Sequence, residues 1–307
     1  MNPSELLRHR LRNALQSLLL VLVLAGLLGY LAWILGGPFL FAVVLALVVF
    51  GYLVTPVVSP RLVLGMFRGR PIAYREAPRL YDVAGELARR AELEAVPVLY
   101  YLPSDVMNAF AVGEGRTAAV ALSDGLLRRL TLTELAGVLA HELSHLRHRD
   151  TRVMGFADVV SRLTGLLSTL GILLLFVNLP LFLLGAATLP WWTILLLLFA
   201  PTLSTLVQLA LSRTREYDAD VGAVELLGDP TPLASALQKM EAFQRSLLRH
   251  FLWPGQRLPD PCLLRTHPDT TQRIERLRAI AGRRSVPPRE PLPTARDLGA
   301  TWLARAL

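Results

Sequence analysis

Two long stretches of the chain, Asn13 to Pro60 and Leu163 to Ser212, carry no charged residue. Each is about 50 residues long, whereas one helical crossing of a bilayer takes about 20. Each stretch therefore predicts two crossings joined by a tight turn, at Gly36-Gly37-Pro38 in the first and between Asn178 and Pro190 in the second. The four predicted spans are residues 13–35, 38–59, 164–186 and 190–211. A cleaved signal peptide does not fit the first stretch, because its apolar core would be only about 7 to 15 residues.

The remaining segments are polar and periodic. Glu76 to Glu94 predicts an amphipathic helix with Leu80, Val83, Ala84, Leu87, Ala88 and Ala91 on one side, stopped by Pro97. Val98 to Leu102 is β-prone, and Asn108 to Gly113 followed by Thr117 to Leu122 predicts a hairpin around a glycine-containing turn. A short helical turn follows at Leu126 to Leu130. Leu132 to His148 then reads as a helix, opened by a Thr131–Glu134 capping box and carrying Leu135, Val138, Leu139, Leu143 and Leu146 at helical spacing. Pro232 to His250 predicts a helix whose stripe of Leu233, Ala236, Leu237, Met240, Phe243 and Leu247 reads as core. Another helix starts near Thr266, and the proline-rich tail from Gly282 reads as a loose linker with a weak amphipathic helix at its end.

The fold class expected is mainly α with a small β-sheet: four transmembrane helices in two hairpins plus an α+β domain interrupted by the second hairpin. The expected boundaries are an N-terminal hairpin at 1–60, a first part of the polar domain at 61–162, a second hairpin at 163–212, a second part of that domain at 213–281 and a tail at 282–307.

Composition sharpens this picture in three ways. The 53% hydrophobic content removes the chain from the ordinary soluble class. Arginines flank the spans on one side, from Arg8, Arg10 and Arg12 to Arg213 and Arg215, while both turns lack charge, so the positive-inside rule places both termini and both polar segments in the cytoplasm. The net charge of +8 lies at membrane borders, where anionic headgroups account for it, and no nucleic-acid motif accompanies it. Cys262 is alone, so no internal disulfide forms.

The chemistry centres on His141-Glu142-Leu143-Ser144-His145. On a helix, residues four apart share a face about 6 Å apart, so the two imidazoles can share one metal ion. Glu142 then lies beside the ion, placed to take a proton from the attacking water. A catalytic zinc keeps a third protein ligand, which should come from downstream. Glu216 is the choice, with Asp218 and Glu225 as competitors, and Asp220, four residues on, would accept a hydrogen bond from a ligand histidine. His267 lies at a chain corner, where it is either a structural histidine or one free to reach the site and stabilise an oxyanion. The strand at Ala109 and Phe110 offers an edge on which an extended peptide can pair.

Asn108-Ala109-Phe110, Leu139-Ala140-His141-Glu142-Leu143-Ser144-His145 with Asp150 five residues on, Ser212-Arg213-x-Arg215-Glu216-Tyr217-x-Ala219-Asp220, and His267-Pro268 with Arg273-Ile274 together resemble the HtpX group of membrane zinc peptidases, relatives of the eukaryotic CAAX prenyl protease. The resemblance covers roughly residues 1–280. It implies a zincin-type, gluzincin-like domain in which His141, His145 and Glu216 bind one Zn²⁺ per chain and Glu142 is the general base. It also implies that Asn108, Ala109 and Phe110 bind substrate, that His267 acts on the transition state, and that Arg273 supports the metal ligands. The expected partners are protein substrates, damaged or misfolded membrane proteins, and the lipid bilayer of the cell's inner (plasma) membrane.

Two other readings stay in view. An intramembrane zinc protease would carry its motif within an apolar span, whereas Arg128, Arg129, Glu134, Arg147, Arg149 and Asp150 surround this one. A non-catalytic metal sensor or scaffold would not need Glu142.

Overall fold

A computed structural model of the chain describes residues 3–54, 60–186, 190–251 and 270–282. In chain order the elements are α1 (Pro3–Val54), α2 (Pro60–Met66), β1 (Arg70–Pro71), α3 (Pro78–Arg90), β2 (Val98–Leu102), β3 (Ala109–Val112), β4 (Ala119–Ser123), α4 (Asp124–Arg129), α5 (Leu132–His148), α6 (Asp150–Leu183), α7 (Trp191–Leu227), α8 (Thr231–Phe251) and α9 (Thr270–Gly282). The chain divides into two compact units: one comprises residues 1–10, 58–151 and 215–307, the other residues 11–57 and 152–214.

The second unit is helical. Among the described residues three helices are long and apolar enough to cross a membrane: Leu15–Gly51 within α1, then α6 and α7. The first contains a break, since the backbone leaves the helical region at Gly36 (φ −145°, ψ 23°) and at Gly37 (φ 58°, ψ −151°), a conformation open to glycine and few others. Two helical arms thus meet at a break at Gly36-Gly37-Pro38, where the turn is expected. The other two helices are longer than the apolar runs that define them, because nothing in Asp150 to Arg162 or Arg213 to Leu227 interrupts a helix: neither segment contains proline. Within this unit Leu24, Leu28 and Leu31 of α1, Val160 of α6 and Leu197 and Leu211 of α7 belong to one buried cluster.

The other unit is built on a four-stranded mixed sheet of order β1-β2-β4-β3. β2 and β4 run parallel, with Val98 opposite Ala119 and Leu102 opposite Ser123, and β3 is antiparallel to β4. One sheet face, with Leu99, Val120 and Leu122, joins a core shared with α3, α5, α8 and α9. The other face packs Tyr100, Leu102, Ala119 and Ala121 against Leu64 of α2. This is the period-two alternation of strands at work.

Two expectations need adjustment. The amphipathic helix is shorter than residues 76–94: Pro78 starts it at a position that needs no N–H donor, and it ends at Arg90. Pro97 does not stop it. The chain turns at Glu92 (φ 56°), where Leu93 N–H reaches back to Ala88 O. The tail after Gly282 and its amphipathic end lie outside the described residues, as do Cys262 and His267.

Candidate metal centre

The site is built on α5. Thr131 caps it, its Oγ1 accepting from Glu134 N while Glu134 Oε2 accepts from Thr131 N at 2.8 Å. Leu135, Leu139 and Leu143 seat its apolar face in the core with no exposure, so the helix orientation is set by burial rather than by the polar groups it carries. Helical spacing then places His141 and His145 together, their Nε2 atoms 3.2 Å apart. Glu142, between them in sequence, is also buried.

α7 supplies the carboxylates. Gly222 makes its approach to α5 feasible, because a β-carbon there would collide with the Ser144 side chain. Glu216 Oε2 lies 3.3 Å from His141 Nε2, and Glu216 Oε1 lies 3.7 Å from His145 Nε2. Around a tetrahedral ion with ligands about 2.0–2.1 Å away, neighbouring ligand atoms sit roughly 3.3 Å apart. The three separations bracket that value. Asp218 and Glu225 are not part of this group; Glu225 pairs with Arg147 instead, at 3.8 Å.

Each imidazole is also held from behind. Asp220 Oδ1 lies 3.1 Å from His141 Nδ1, and Asp150 Oδ2 lies 2.8 Å from His145 Nδ1. A carboxylate on Nδ1 keeps the proton there and turns the Nε2 lone pair toward the shared point. Asp150 reaches His145 because Arg149 adopts the left-handed conformation (φ 55°), ending α5 and folding the chain back. The sequence contained its spacing from His145 but not that turn, so no role could be assigned to it. Arg215 pairs with the same Asp150 at 3.2 Å.

Arg273 of α9, 2% exposed, closes the cluster. Its guanidinium donates to both oxygens of Asp220 and places Nη1 2.9 Å from Glu216 Oε2. Glu142, Asp150, Glu216 and Asp220, none more than 6% exposed, bring four negative charges; Arg215 and Arg273 bring two positive ones. With neutral imidazoles the cluster lacks two positive charges, which is what a divalent cation supplies. Without an ion, a proton on His141 takes part of that role. Burial and the Arg273 charge press the His141 imidazolium to deprotonate, but its hydrogen bonds to Asp220 and Glu216 outweigh them and push its pKa up to about 10. The donor set, its spacing and its charge all fit a metal ion.

The family model of peptidase M48 matches residues 74–281, a stretch that includes every one of these groups. The chain belongs to peptidase family M48. It is a metalloendopeptidase, and its apolar helices make it a membrane protein. Among curated M48 relatives, it is 35% identical over 244 residues to the protease HtpX homolog of Methylibium petroleiphilum, covering 74% of this chain and 83% of that one. It is 36% identical over 285 residues to the protease HtpX homolog of Aquifex aeolicus, covering 83% and 89%. The crystal structure of S. mikatae Ste24p aligns over 88% of this chain and 66% of its own, with TM-score 0.49 and 18% identity.

A cleft opens onto the M48 site beside His141 and Glu142. Asn108 and Ala109 line it, with Asn108 N donating to Ser123 Oγ at 2.9 Å. Phe110 does not. One residue further along β3, it points to the opposite sheet face and meets Phe67 edge-on, ring centroids 5.7 Å apart. β3 is an edge strand of the sheet, with β4 on its other side.

Proposed function

We propose that this M48 peptidase hydrolyses peptide bonds of damaged or misfolded membrane proteins at the cytoplasmic face of the inner membrane, using one zinc ion held by His141, His145 and Glu216. The observation that carries the metal-dependent hydrolysis is the trio of ligand separations, 3.2, 3.3 and 3.7 Å, with Glu142 buried in the same cleft. The substrate class rests on the family resemblance, and the cytoplasmic face on the arginines flanking the spans. When bound, zinc supplies Lewis acidity for the water and the scissile carbonyl. Glu142 takes a proton from the attacking water and passes it to the leaving amine. Asp220 and Asp150 hold the imidazoles in the ligating tautomer, and Arg273 fixes Asp220 and Glu216. An extended substrate pairs with the β3 edge at Asn108 and Ala109, with Phe110 acting only through its backbone. His267 is assigned to the oxyanion on sequence grounds.

In the same reading the domain is zincin-type, the two arms of α1 on either side of Gly36-Gly37 cross the membrane separately to make four crossings with α6 and α7, and both termini are cytoplasmic. The catalytic segments are then 61–162 and 213–281. Zinc-loaded Glu142→Gln protein tests the enzyme against the metal sensor or scaffold: it should bind zinc as the unaltered chain does and lose turnover by about 10²- to 10⁴-fold. Undiminished cleavage would remove Glu142 from the mechanism.

A further inference from the structure

On the basis of the hydrolytic reading above, we infer that the wall of the cleft formed by α8 selects a large uncharged side chain, leucine, methionine or phenylalanine, on a substrate residue flanking the scissile bond. The stripe along α8 reads as core in the sequence. In the fold it has a second use. Leu233, Leu237, Met240 and Phe243 line the same cleft as His141 and Glu142, together with Val106 and Val138. Burial falls along that stripe, from 1% exposed at Leu233 and 7% at Leu237 to half-buried at Met240 and Phe243. A stripe serving only as core would stay closed throughout; this one opens along the cleft that Glu142 also lines.

The wall is firmly placed. Gly137 of α5 lets the start of α8 press against it, since a β-carbon there would lie 2.6 Å from Leu233 N. At the other end the Arg129 guanidinium sits 4.4 Å from the Phe243 ring centroid, which holds that ring in position. An apolar surface held this way gains from contact with large apolar side chains and desolvates charged ones.

Charge in the cleft acts in the same direction. Its lining includes the carboxylates of Glu142 and Glu241. The one cation among the described lining residues, Arg273, is engaged with Asp220 and Glu216. With Glu241 already paired with Arg245, an acidic substrate side chain meets the like charge of Glu142, and any charged side chain loses hydration against the apolar wall.

The full-length, zinc-loaded enzyme in detergent micelles, given a random-sequence peptide pool with cleavage sites read by mass spectrometry, tests this. Leucine, methionine and phenylalanine should be enriched at one position flanking the cut and aspartate depleted. Matched peptides should show kcat/KM at least about tenfold higher for leucine than for alanine at that position. Met240→Trp, at a half-buried position, should fill the cleft and shift the preference toward alanine with zinc content unchanged. A flat profile at both flanking positions, an acidic preference, or an unchanged profile in Met240→Trp would overturn the inference while leaving the hydrolase intact. Failure of the zinc-loaded enzyme to cleave the pool any better than Glu142→Gln would instead overturn the hydrolytic reading, and the inference with it.

Discussion

Arg273 and Asp220 form a two-point pair, Nε to Oδ2 at 2.9 Å and Nη2 to Oδ1 at 2.7 Å, although 53 residues separate them in sequence. The same guanidinium reaches Glu216. One side chain thereby orients a metal-site carboxylate and the carboxylate behind a metal-site imidazole.

Replacing Arg273 should therefore loosen the ion rather than the chemistry. Arg273→Lys keeps the charge but loses the planar fork, so zinc affinity should fall by about 10- to 100-fold and not be rescued relative to Arg273→Gln. Competition with a calibrated chelator measures this. Equal affinities for Arg273→Lys and the unaltered chain would show that charge alone suffices.

Zinc binding should depend steeply on pH. The metal-free site holds a proton on His141 with a pKa pushed up to about 10, and a ligating imidazole must give that proton up. Below that pKa the proton competes with the ion, so apparent affinity should fall about tenfold per pH unit from pH 9 to pH 7. Calorimetry in buffers of different ionisation enthalpy should detect at least one proton released per zinc bound. No proton release at pH 8 would contradict it.

Gly222→Ala should disturb the site from outside it. The added methyl falls on Ser144 and pushes α7 from α5, separating Glu216 from the two histidines. Overpacking of this kind costs about 1–3 kcal/mol, and bound zinc per chain should drop in parallel. Gly165→Ala is the control, because nothing lies within 4 Å of its β-carbon position. Thermal unfolding and metal content of the two proteins check the contrast.

Glu134 links the start of α5 to α8. Besides the cap, it accepts from Ser235 Oγ at 2.6 Å and from Lys239 Nζ at 2.8 Å. Burial works to raise its pKa, but the bonds from Lys239, Ser235 and Thr131 outweigh burial and hold it below the ordinary carboxylate value. Because the folded-state pKa is lowered, this stabilisation is present above about pH 4.5 and is lost as pH falls through the folded value. Glu134→Gln should cost about 1–2 kcal/mol at pH 7 and much less near pH 3, read from denaturant midpoints at the two pH values.

What the sequence determined on its own is whatever depends on near neighbours. The Thr131–Glu134 box and the leucine spacing are complete within α5, so its start at Leu132 follows from local rules. The charge-free stretches likewise mark apolar helices by length alone, and His141 and His145 meet because a helix turns every 3.6 residues. Tertiary structure decided the rest. That Arg273 sits against Asp220 and Glu216, that Asp150 turns back to His145 through a left-handed Arg149, and that Phe110 faces away from the cleft all follow from how helices and sheet pack. The approach of the α7 carboxylates to α5 depends on a close contact at Gly222 between segments distant in the chain, and no periodicity within either segment encodes its partner. The α8 stripe shows the limit most clearly: its spacing announces an apolar face, and only the fold shows where that face leaves the core and borders the cleft.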